Sequence, residues 1–74
     1  MLSTLQRMYP LPSGWSSLEQ FTETVVVGES RIELCGFSVS GPTGDCVIGS
    51  AASSDGAAQC TARSYFEMLE RVSV

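Results

Sequence analysis

TVVVGESRIELCGFSVSG, residues 24–41, decides the fold. Val25, Val26 and Val27 are β-branched and suit a strand, because a branched Cβ packs well on a pleated surface. The Gly-Glu-Ser that follows is a turn signal. RIELCGFSVS then alternates. Ile32, Leu34, Gly36 and Ser38 fall on one face, and Arg31, Glu33, Cys35, Phe37 and Val39 on the other. This period of two is that of a half-buried strand. The phase is imperfect near Cys35-Gly36, where a glycine is compatible with a bulge.

Working outward, SGPTGD (40–45) reads as a hairpin loop, and CVIG (46–49) as a third short strand. The expectation is a three-stranded antiparallel sheet. From Ser54 or Asp55, both good N-caps, a helix is expected to run to about Val72. Its apolar stripe reads Ala58, Ala62, Tyr65, Phe66, Leu69 and Val72, which would pack on the sheet. The fold class is therefore α+β: a small antiparallel sheet with a carboxy-terminal amphipathic helix on one face. On the amino-terminal side, LSTLQRMY allows about two helical turns before Pro10 and Pro12 stop them. PLPSG is a connector, so residues 1–14 read as a segment preceding one domain, 15–74. Ser16 or Ser17, with Glu19 or Gln20, could cap a short helix over WSSLEQFTE.

The chain has 74 residues, a net charge of −4, no histidine, and four basic residues, all arginine. A single small domain of this size is marginally stable, and such scaffolds usually add a covalent staple, a metal or a partner. Four scattered arginines do not make a basic stripe for nucleic acid. An acidic chain is not drawn to an anionic membrane, and no stretch approaches the length of a membrane helix. Without His or Lys, serine- or cysteine-based nucleophilic triads are ruled out. Three cysteines, with no tight pair, do not read as a disulfide framework or a zinc site. They suggest reduced, half-buried thiols in a cytoplasmic protein.

The charge gathers instead in RSYFEMLER, residues 63–71. A helical wheel puts Cys60, Arg63, Ser64, Glu67, Glu70 and Arg71 opposite the apolar stripe. Arg63, Glu67 and Arg71 follow one another at i, i+4 spacing, as on any salt-bridged wet helix side, where each pair contributes roughly 0.2–0.5 kcal/mol. Two carboxylates one turn apart also suit a Mg²⁺ ion that shares its coordination with nucleotide phosphates. An adjacent arginine can hold a phosphate oxygen. The spacing is compatible with both readings.

GSAASSDGAAQCTARSYFEMLERVS, residues 49–73, resembles the amino-terminal signature of YcaO-domain proteins. There, a Gly-bearing stretch follows a strand, and an Ala-rich helix ends in E-x-x-E-R, here Glu67, Glu70 and Arg71, with Val72 and Ser73 after them. The resemblance implies an ATP- and Mg²⁺-dependent enzyme that phosphorylates a peptide backbone amide, as in azoline or thioamide formation. It implies that Glu67 and Glu70 are Mg²⁺ ligands, that Arg71 contacts the nucleotide, and that Ser64 lies near it. A whole YcaO domain is several times longer. The resemblance therefore implies an amino-terminal part, inactive alone, whose partners are the rest of that domain or a second subunit, and a peptide substrate. A homo-oligomer is a further expectation. The rival expectation is a small non-catalytic α+β module that binds a partner through its apolar face.

Overall fold

The computed structural model describes residues 2–72, apart from the side chain of Ser17. The element order is α1 (Leu2–Met8), β1 (Ser16–Val27), β2 (Ser30–Ser40), β3 (Cys46–Ser53) and α2 (Ala57–Val72). The strands form one antiparallel sheet in the order β1-β2-β3. With α2 laid across β2 and β3, this is the α+β architecture expected: a three-stranded open sheet with a carboxy-terminal helix.

The β1–β2 hairpin turns through Gly28, whose φ of 62° is the left-handed conformation that a two-residue hairpin loop requires. Register runs from Val27↔Ser30 back to Ser16↔Ser40, with one irregularity between Ser16 and Glu19. The helix expected over WSSLEQFTE is thus not formed. Its capping signals are local, and the long pairing of β1 onto β2 outweighs them. The irregularity lies in β1, not at Cys35-Gly36. β2 pairs on both sides without interruption from Glu33 to Ser38.

The two faces of β2 are those that its alternation marks. Cys35, Phe37 and Val39 are buried on the helix side. With Leu5, Tyr65, Met68 and Val72, Phe37 and Val39 form the core. Leu2, Leu11, Trp15, Leu18, Val47 and Leu69 pack around it. Each fully buried large apolar side chain contributes roughly 1.5–3 kcal/mol.

The helix is rotated from its expected phase. Its buried residues are Cys60, Thr61, Ser64, Tyr65, Met68 and Val72, whereas Ala58 and Phe66 are exposed. Cys60 and Ser64, placed on the wet side by hydrophobicity, face the sheet. Close approach explains the rotation. A Cβ on Gly49 would overlap the backbone of Met68, so α2 sits directly against the β3 backbone there, with the face that carries Cys60, Ser64 and Met68 toward the sheet. Neither Ser54 nor Asp55 caps the helix. Gly56 directly precedes it, and its carbonyl accepts the Cys60 N–H at 3.2 Å.

The cysteine expectation is corrected as well. Cys35 and Cys60 are disulfide-bonded, with their Cα atoms 5.7 Å apart, and they tie β2 to α2. Sequence spacing could not show this, because the two residues meet only when the helix folds back over the sheet. Cys46 is free and exposed.

α1 is joined to the same core. Leu5 is buried, and the Tyr65 hydroxyl donates to the Tyr9 carbonyl at 2.7 Å. Tyr9 meets Phe66 edge-on, with ring centroids 4.9 Å apart. Phe37 and Tyr65 meet the same way at 5.4 Å. No helix among the described residues is long and apolar enough to cross a membrane.

Candidate functional site

Two surfaces could carry function: the charged side of α2 and the outer face of the sheet.

On α2, Arg71 and Glu67 form an i, i+4 pair at 3.1 Å. Arg63 reaches back to Asp55 at 3.5 Å, not forward to Glu67. Glu70 is exposed and Glu67 is half-buried. Ser64, also expected near a nucleotide, is fully buried, and its hydroxyl donates to the Thr61 carbonyl at 3.0 Å. The helix therefore brings Glu67, Glu70 and Arg71 together within about one turn, while Ser64, one turn earlier, is buried with its hydroxyl committed to the Thr61 carbonyl. Ser73 lies outside the described residues. No cavity is formed among the described residues, and no three of their acidic or cysteine side chains cluster as metal ligands.

These side chains pass a chemical test for a Mg²⁺–nucleotide site only in part. Two hard oxygen donors suffice on the protein side, because Mg²⁺ keeps waters and takes phosphate oxygens. Among the described residues nothing opposite them completes an enclosure, and Arg71 already occupies one oxygen of Glu67.

The outer sheet face follows from strand register. Phe21 lies opposite Gly36, Glu23 opposite Leu34 and Val25 opposite Ile32. On the other side of β2, Leu34 faces Ala52, and Ser38 faces Ile48. All of these side chains point away from α2, because Cys35, Phe37 and Val39 point toward it. Phe21 remains 53% exposed, Ile48 50% and Leu34 39%. Gly36 is why Phe21 can lie flat there: the ring occupies the space that a side chain at 36 would need. The sequence showed the alternation that builds this face. It did not show that α2 covers only the opposite one.

The charges on this face are all acidic. Glu19 pairs in register with Ser38, and Glu23 with Leu34, so both project outward. Arg31 pairs with Val26 and projects to the other side. Arg63 and Arg71 are held on α2. Comparison with protein-family models, with curated proteins and with solved structures gives no match.

Proposed function

We propose that this chain is a partner-binding α+β module, and that the outer face of its sheet is where the partner docks. The observation that carries this reading is the set of Phe21, Leu34 and Ile48, each more than a third exposed on one face of the sheet, with no layer over it among the described residues. Sheets normally bury each apolar face against another layer, and contiguous exposed apolar patches mark interaction sites.

The test is binding of an apolar fluorescent dye by the folded chain. The intact chain should bind it. Phe21→Ser/Ile48→Ser should lose most of the signal while its circular-dichroism spectrum and cooperative unfolding persist, since both side chains lie outside the core and are about half exposed. Equal dye binding by the two proteins would overturn the reading.

A second reading rests on the resemblance to YcaO-domain proteins and on one observation: Glu67, Glu70 and Arg71 share a single turn of α2, with Arg71 in contact with Glu67. In this reading the module is the amino-terminal part of an ATP-dependent enzyme that activates peptide backbone amides. The docked partner is then the remainder of that domain or a second subunit. Glu67 and Glu70 would hold Mg²⁺, which would neutralise nucleotide phosphate charge, and Arg71 would swing from Glu67 to a phosphate oxygen. A cytoplasmic setting belongs to this reading. Burial of both bonded sulfurs would restrict their reduction there. Peptide-dependent ATP hydrolysis, measured after adding the rest of such a domain, tests it. Glu67→Gln and Glu70→Gln should each abolish turnover, and activity retained in both variants would rule the metal role out.

A further inference from the structure

We infer that the outer sheet face takes a cationic amphipathic helix, with its apolar stripe on Phe21, Leu34 and Ile48 and its basic residues along β1. The inference rests on the partner-binding reading and specifies the partner's chemistry.

Size argues for a single helix. Three strands about 4.8 Å apart present a surface roughly 10 Å across, and one helix with its side chains is about 10–12 Å wide. A helix laid there would give the sheet its missing second layer, as α2 does on the other side.

Charge selects the partner. Glu19 and Glu23 border the apolar patch on β1, and neither has an ion-pair partner among the described residues. No arginine projects from this face. Four residues of strand separate the two carboxylates by about 13 Å. Basic residues one heptad apart on a helix lie about 10 Å apart on nearly the same side, and long lysine or arginine stems cover the difference. A second copy of the chain would set Glu19 and Glu23 against an equally acidic face, in a molecule of net charge −4. An anionic membrane surface or a nucleic acid would be repelled in the same way.

The experiment uses the full chain and two synthetic helix-forming peptides with identical leucine stripes, one flanked by lysine and one by glutamate. Fluorescence anisotropy gives the affinities. The lysine peptide should bind at least ten-fold tighter than its glutamate twin, and rising salt should narrow the gap. Glu19→Gln/Glu23→Gln should weaken the lysine peptide by roughly five-fold, as expected for two surface ion pairs. Glu29→Gln/Asp45→Asn, which removes the same net charge from the hairpin turns, should not. Equal binding of the twins, or equal weakening by the two charge variants, would overturn the inference. Self-association of the chain abolished by Ile48→Ser would assign the face to a second copy instead, and binding to anionic vesicles through the same residues would assign it to a membrane. Failure here with dye binding intact leaves a docking face of different chemistry. Loss of both removes the docking reading itself.

Discussion

The ring of Phe21 lies over Gly36, its register partner on the neighbouring strand, in the space that a β-carbon at 36 would fill. An aromatic ring laid across a strand glycine covers backbone that would otherwise be wet, and it fixes the ring on the outer face. Gly36→Ala therefore cannot be accommodated without moving Phe21. We expect it to cost about 1 kcal/mol by displacing a packed ring. In a Phe21→Ala background the same substitution should be neutral or stabilising, because alanine is the better residue in an unobstructed strand. A double-mutant cycle on thermal unfolding measures the coupling.

The Cys35–Cys60 bond closes a loop with a sequence separation of 25 residues. Loop-closure entropy for that length is worth roughly 3.5 kcal/mol. In a domain this small, each kcal/mol moves the midpoint by about 4–8 °C. Reduction, or Cys35→Ala/Cys60→Ala, should lower the thermal midpoint by more than about 10 °C. Added reductant should then have no further effect on the double variant. Mass spectrometry after thiol alkylation should find Cys46 alone labelled in the native chain.

Burial raises the pKa of Tyr65 above its ordinary value of 10.0. The folded chain keeps the phenol proton, and with it the hydrogen bond to the Tyr9 carbonyl, at pH values where the unfolded chain has lost it. The stabilisation is complete below pH 10 and falls as pH rises from there through the higher folded value. Urea unfolding followed from pH 8 to 12 should show this decline. Tyr65→Phe should be about 1 kcal/mol less stable at pH 8, through loss of the hydrogen bond, and should decline less above pH 10.

The sheet was legible because β2 carries its own period: Cys35, Phe37 and Val39 mark one face with no help from the rest of the chain. The turn after Val27 was legible for the same local reason. The amino-terminal half of β1 was not, since SSLEQ matches a helix start and becomes a strand only by pairing with β2. The phase of α2 was misread because Cys60 and Ser64 rank as polar or neutral on a helical wheel. Their burial follows from how α2 is seated on the sheet, with Met68 against the bare backbone at Gly49 and Cys60 bonded to Cys35, both distant in sequence. The E-x-x-E-R cluster was visible as a spacing, and the outer face as an alternation. Which face α2 would leave open was a tertiary matter.

The central claim, that the outer sheet face is the docking surface, is tested most directly by amide-resolved NMR on the labelled chain during titration with the lysine-flanked peptide. The account expects the largest shift changes at Glu19, Phe21, Glu23, Leu34 and Ile48, with α2 undisturbed. Changes centred on Glu67, Glu70 and Arg71, with the sheet unmoved, would contradict it.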